Sequence, residues 1–446
     1  MMKTNRRTFI KKTGASLAGV GALTILPSRV WGAAVAPSDQ VTVALIGCRS
    51  MGFGLLRHFL SNDDVRCTAL CDVDENLMRE KADTVQKDFD QKPALFTDFR
   101  EVLEQKDIDA VIIGTPDHWH CLMMVYALQA GKDVYVEKPL GNSIEECNIM
   151  VQAANRYDKQ VVQVGQQQRS GFIFLKAMDF LKNGKIGNLR KINIWANFSY
   201  GLGPVAVPNS AVPSGVHYDT WLGPAPERPF NENRFHGSWR HFWDYGSGMA
   251  SDWGVHLIDI ALWANNDLEG PDKSLVYADN TFKPEKKRAR ETFDSMNITF
   301  PKKDFVINFD VTAGPQRGPW DMLYGIAFVG DDATMVASRD KLVVYPEWDN
   351  DKEEFKTDDY KFTEGEESHS EHVRDFLNCI KSRNTPVCTP EMGRASAVHM
   401  HIANIAGRVG EPVLLWDDAN NRFTNSEAAN ELIKPVYRKP WKLPQV

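Results

Sequence analysis

Val134-Tyr135-Val136-Glu137-Lys138-Pro139 is the stretch whose reading decides the fold. A β-branched, aromatic run stops at a Lys-Pro pair. Proline has no amide hydrogen to give a central strand, and it holds the residue before it extended. Lys138 is therefore expected at the carboxyl end of a buried strand, facing the crevice where open α/β sheets bind ligands. Outward from it, apolar strands at 41–46, 66–71, 94–96, 110–113, 133–136 and 161–164 alternate with helical patterns at 52–60, 99–105, 119–130 and 145–157. Apolar strands joined by helical crossovers give a parallel sheet covered on both faces. The expectation is a doubly wound Rossmann domain over residues 37–165.

Past Gln168 the period changes. A helix at 172–181 precedes strands at 191–198, 274–278, 296–300, 305–310, 333–337 and 341–345, and helices at 371–382 and 393–407 close the unit. Residues 166–446 thus read as a second α/β domain on a predominantly antiparallel open sheet, serving substrate binding and oligomerisation. Residues 201–248 are rich in Pro, Gly and Trp, with little periodicity. Loops of that length are usually functional.

The chain has 446 residues, 43% hydrophobic and 25% charged, ordinary values for a globular protein with room for sizeable cores. Its first 36 residues carry six Lys/Arg and no acid, so the remainder holds 46 basic against 59 acidic side chains, a net −13. That balance disfavours nucleic acid or an anionic membrane as partner. Asn5-Arg6-Arg7-Thr8-Phe9-Ile10-Lys11, a short apolar run and Ala34-Val35-Ala36 follow the order of a signal peptide, and the paired arginines point to twin-arginine export. The expectation is a cleaved leader over 1–36, no stable membrane anchor afterwards, and a periplasmic or otherwise exported protein. Seven cysteines without Cys-x-x-Cys pairs read as mostly free thiols, and no metal cluster is expected.

Ile46-Gly47-Cys48-Arg49-Ser50-Met51-Gly52 has the shape of a dinucleotide turn with Arg49 in place of its middle glycine. Gly47 and Gly52 supply the tight turn and the close helix–strand contact, and the helix N-terminus offers amides to pyrophosphate. Asp72, 20 residues beyond Gly52 at the end of the second strand, is placed to bond ribose hydroxyls. A carboxylate there repels a 2′-phosphate, which favours NAD over NADP, with Arg49 able to compensate. Thr115 and His120 are placed to contact the nicotinamide half. The alternative is that Asp117 caps the next helix while His118 and His120 are solvated. Asp252 and His256 lie four apart, one turn apart if helical, so the carboxylate could fix the imidazole's tautomer. Gly246, Gly248 and Gly254 around them leave room for a ligand, and Asp259 either joins that face or is exposed. The alternative for this pair is a helix cap and a core histidine.

With Thr115-Pro116, the run from Gly131 to Pro139, Gly184-Lys185-Ile186-Gly187, Asp219-Thr220-Trp221-Leu222-Gly223-Pro224 and Gly248 to His256, these residues resemble the Gfo/Idh/MocA oxidoreductases from about residue 40 to 410. The turn at Arg49 is the departure. The resemblance implies a Rossmann domain, a C-terminal α/β domain, frequent dimers or tetramers, and catalytic roles for Lys138, Asp252 and His256. His256 would take a hydroxyl proton, Lys138 would stabilise the alkoxide, and Asp252 would orient His256. The expected cofactor set is Gly47, Arg49, Ser50, Met51, Gly52, Asp72, Thr115, His120, Glu137, Lys138 and Gln166, around a tightly bound NAD, with NADP possible. The expected substrate set is Arg169, His217, Tyr218, Trp221, Arg234, Trp239 and Arg240, with Trp243 and His236 in the same segment. Aromatic faces beside hydroxyl-binding groups suit a sugar, glycoside or cyclitol; a packed, tryptophan-rich contact is the alternative. The activity implied is hydride transfer between a nicotinamide cofactor and a secondary hydroxyl. A redox-assisted glycosidase and a non-catalytic nucleotide sensor stay open.

Overall fold

The computed structural model describes residues 40–363 and 368–446, so the expected leader at 1–36 lies outside the described residues. Six parallel strands form the first sheet: β1 (Val41–Ile46), β2 (Val65–Cys71), β3 (Ala94–Phe96), β4 (Ala110–Ile113), β5 (Asp133–Val136) and β6 (Val162–Val164). Their order is β3-β2-β1-β4-β5-β6. The direction of winding reverses between β1 and β4, which opens a crevice at their carboxyl ends. Every residue of β4 and β5 is buried, as an internal parallel strand requires. One helix escaped the sequence reading. Glu75–Phe89 follows β2, its first amides capped by the Asp74 carboxylate. Met78, Ala82, Val85 and Phe89 form a narrow apolar stripe packed on the core, while the rest of the helix is mostly charged or polar.

The second sheet has ten strands, in the edge-to-edge order Tyr360–Phe362, Leu342–Pro346, Ala333–Ala337, Tyr324–Gly330, Leu189–Ala196, Val306–Thr312, Ser295–Pro301, Lys273–Asp279, Val413–Asp417, Arg422–Phe423. Val306–Thr312 and Leu189–Ala196 pair in parallel. The other pairings of the sheet are antiparallel. The helices Gly254–Trp263 and Pro390–Val409 bury Val255, Leu257, Ile258, Val398, Met400 and Ile402 against it.

The helix His369–Ser382 corrects an expectation. The sequence places it closing the second domain, but its apolar face packs on the first sheet. Val373, Phe376, Leu377 and Ile380 share a core with Val43, Leu45, Phe59 and Tyr135. Phe376 meets Phe59 and Tyr135 edge-on. Each such large apolar side chain contributes roughly 1.5–3 kcal/mol when fully buried. All seven cysteines are buried and free. Among the described residues no helix is long and apolar enough to cross a membrane.

Candidate active site

The crevice at the switch point is a cavity of about 1050 Å³ including its open mouth. Beneath it three glycines pack backbone to backbone, with Gly47 and Gly114 on its lining. Gly47 sits at φ +93°, and a Cβ there would stand 2.8 Å from the Gly114 carbonyl. A Cβ on Gly52 would meet the Gly47 oxygen at 2.0 Å, and one on Gly114 the Gly52 Cα at 2.6 Å. The helix Ser50–Leu60 begins here with no side-chain cap and no acid in its first turn, which leaves its positive end to an anion. Arg49, Ser50, Met51 and Asp72 also line the cavity. Asp72 accepts from the Cys48 amide (2.6 Å) and the Asp74 amide (3.0 Å), and burial lifts its pKa to about 6. An uncapped helix start above bare glycine backbone, with a carboxylate at the neighbouring strand end, fits the pyrophosphate and ribose of a dinucleotide.

Beyond the turn the wall carries Thr115, Asp117, Glu137, Lys138, Trp221, Trp239 and Arg240. The Lys138–Pro139 peptide is cis. Lys138 Nζ donates to Asp252 Oδ1 (2.6 Å) and to the Asp252 carbonyl (2.9 Å). Arg240 Nε lies 3.1 Å from the same Oδ1, and the Tyr200 hydroxyl donates to Oδ2 at 2.6 Å. Arg240 also stacks on the Trp239 ring, 4.2 Å from its centre. Two cations and one buried carboxylate make a site suited to negative charge that develops on a reacting oxygen. Burial raises the Asp117 pKa to about 8, against the opposing pull of Arg240 and Lys138. It similarly raises Glu137 to about 7.

Asp252 does not orient His256. The helix breaks at Trp253, between Gly248–Asp252 and Gly254–Trp263, so the two side chains are not stacked one turn apart. The carboxylate serves Lys138 instead. His256 is buried with no hydrogen-bond partner for Nδ1, and it does not line the cavity. Burial and the Lys138 and Arg339 charges hold its pKa well below the usual value, so the ring is neutral. The nearby glycines are filled by protein rather than open to ligand. A Cβ on Gly254 would strike Met400 Sδ at 2.4 Å, and one on Gly246 the Trp239 ring at 2.9 Å.

Other expected residues also sit elsewhere. His120 is fully buried, Nδ1 2.8 Å from the Pro139 oxygen and Nε2 3.0 Å from the Thr115 oxygen, and ties two strand ends together. His118 is buried too, bonded to the Trp221 oxygen. Gln166 is buried beside Val255 and Ser396. Arg169 forms a two-bond ion pair with Asp259 (2.8 and 2.9 Å), and both are sequestered from the cavity. His217 bonds Glu75, while Tyr218 packs on Trp221 and Phe230, and Arg234 bonds the Pro229 oxygen. None of these lines the cavity. Sequence reasoning missed Tyr200, which sits in a short helical turn after the strand Leu189–Ala196, and offered Asp117 only the alternative of a helix cap.

Asp117 gives the fold a pH signature. An unfolded aspartate loses its proton near pH 4, whereas the folded carboxyl keeps it to about 8. Between those values the folded state binds the extra proton, so stability falls as pH rises, by up to about 1.4 kcal/mol per unit. Asp117→Asn is expected to flatten this slope in thermal melts recorded from pH 5 to 8. An unchanged slope would mean that the carboxyl ionises freely.

Three comparisons bear on this geometry. The profile of an oxidoreductase family with an NAD-binding Rossmann fold matches residues 41–166. The profile of an oxidoreductase-family C-terminal alpha/beta domain matches 187–304 and 323–443. A "Glycosyl hydrolase family 109 protein" of Shewanella pealeana is 32% identical over 205 residues, covering 42% of this chain and 45% of that protein. An "Alpha-N-acetylgalactosaminidase" of Shewanella oneidensis is 30% identical over 207 residues, with the same coverage. The matched stretch thus spans less than half the length of these relatives. The WlbA dehydrogenase of Bordetella pertussis, solved with NADH and UDP-GlcNAcA, shares the fold with a TM-score of 0.61 at 16% identity, over 85% of this chain and 99% of that one.

Proposed function

The chain belongs to the Gfo/Idh/MocA oxidoreductase family, and we propose that it moves hydride between a nicotinamide dinucleotide and a secondary hydroxyl of a sugar, glycoside or cyclitol. The observation that carries this reading is the pair of cations Lys138 and Arg240, both held by Asp252, on the wall of the same cavity as the glycine turn. The Gly47–Gly52 turn would hold the pyrophosphate and Asp72 the ribose hydroxyls, its charge favouring NAD over NADP. When bound, NAD supplies a hydride acceptor. Lys138, held by Asp252, steadies negative charge on the substrate oxygen. His256 does not reach the cavity, so the proposed destination of the hydroxyl proton is the Glu137 carboxylate, which lines the wall and titrates at about 7. Trp221 and Trp239 supply apolar faces for a sugar ring.

The names of the curated relatives favour a second reading, redox-assisted cleavage of a glycoside. There the sugar is oxidised, loses its aglycone by elimination at the acidified neighbouring carbon, takes up water and is reduced again. Asp117, protonated at neutral pH, is suited to protonate the departing oxygen. The paired arginines near the start of the chain support export of a folded, cofactor-loaded protein.

The deciding experiment supplies the purified chain with NAD and a panel of free sugars and aryl glycosides. Accumulating NADH with an unsubstituted sugar supports the dehydrogenase. Aglycone released without net NADH supports the glycosidase. A chain that binds nucleotide yet turns over neither class is the sensor.

A further inference from the structure

Residues 213–217 run antiparallel beside 73–75, just past β2. Asp74 and Val216 form a bridge, the Glu75 amide donates to the Gly215 oxygen (2.9 Å), and the His217 amide donates to the Val73 oxygen (2.8 Å). Asn76 Nδ2 adds a bond to the Ser214 oxygen at 3.0 Å. Downstream, Thr220, Trp221, His236, Gly237, Trp239 and Arg240 complete the cavity wall that the first sheet begins. Arg438 pins the middle of this segment, bonding Asp219 Oδ1 (2.6 Å) and the Gly223 oxygen (3.2 Å).

Two histidines tie the segment to the first sheet's side of the cavity. His217 Nε2 donates to Glu75 Oε1 at 3.0 Å, and His236 Nε2 donates to Asp74 Oδ2 at 2.8 Å. A carboxylate can only accept, so each ring carries its proton on Nε2. His236 has a second distinguishing feature. Its φ is +64°, a left-handed conformation that suits glycine and strains a histidine. The strained residue is the one whose side chain both lines the cavity and bonds the loop two residues past Asp72.

We propose that His236, assisted by His217, is a positioning residue that latches segment 213–240 over a bound nicotinamide dinucleotide and makes its release slow. The proposal rests on the nucleotide-binding reading above and adds the device that retains the cofactor. The test is NADH dissociation from the full-length chain, followed by fluorescence on displacement with excess NAD. His236→Gly removes the latch and relieves the backbone at once. It is expected to keep or raise Tm while speeding NADH release at least about tenfold, the effect of losing one hydrogen bond to a charged group. His236→Gln, whose amide can still donate to Asp74, should recover most of the slow release. His217→Ala added to His236→Gly should speed release further. Wild-type release rates in His236→Gly and in the double variant, with Tm unchanged, would overturn the latch. A wild-type chain that binds no nicotinamide dinucleotide would overturn the latch and the nucleotide reading together.

Discussion

Lys138→Met is expected to lower kcat by about 100-fold or more on whichever sugar the wild type turns over, with folding and NADH affinity nearly intact. The ammonium lies 2.6 Å from Asp252 Oδ1 and is nine-tenths buried, so its charge acts on the cavity with little solvent screening. Removing one such preorganised donor costs about 3–4 kcal/mol of transition-state stabilisation. The fold should survive because Asp252 keeps Arg240 and the Tyr200 hydroxyl, so no charge is left buried alone. Steady-state kinetics alongside a thermal melt check this. Turnover near wild type in a well-folded variant removes Lys138 from the chemistry. A fall confined to KM would make it a binding group only.

Gly52→Ala is expected to be among the most damaging single-methyl changes at the described residues. Its Cβ would lie 2.0 Å from the Gly47 carbonyl oxygen, which is backbone and cannot swing aside. Nor can the helix Ser50–Leu60 retreat, since it is anchored by Phe53, Leu55, Leu56 and Phe59. Overpacking of this kind costs on the order of 3 kcal/mol. It also lifts the helix start away from the turn that would hold pyrophosphate. A melt should show Tm lowered by several degrees, and titration should show NADH affinity at least about tenfold weaker. Gly54→Ala, in the same helix but where a Cβ meets no atom within 4 Å, is the matched control and should lower neither.

Much of the fold is legible in the sequence because β1, β4 and β5 are internal strands, and their continuous apolar runs leave one arrangement open. The helix Glu75–Phe89 is harder to read, because its narrow stripe of Met78, Ala82, Val85 and Phe89 is set among mostly charged and polar residues. In the site, Lys138 and Asp72 are readable from their places at strand ends. Arg169 is not, because its charge is taken up by Asp259, 90 residues away. Asp252 and His256 misled through spacing alone: four residues apart means one face only where the helix is unbroken, and Trp253 breaks it. The strain at His236 has no trace in composition at all.

The helix His369–Ser382 has a consequence for how the chain is made. Val43, Leu45, Phe59 and Tyr135 belong to strands and helices that leave the ribosome early, but Val373 and Phe376, which cover them, follow more than 200 residues later. At roughly 5–20 residues per second, that apolar face stays bare on the nascent chain for about ten seconds or longer. Such a surface is what holdase chaperones recognise. Synthesis halted before residue 370 should therefore leave a sticky, chaperone-bound intermediate, and the first sheet becomes a finished, nucleotide-competent unit only once translation has passed Ser382, well into the last fifth of the polypeptide.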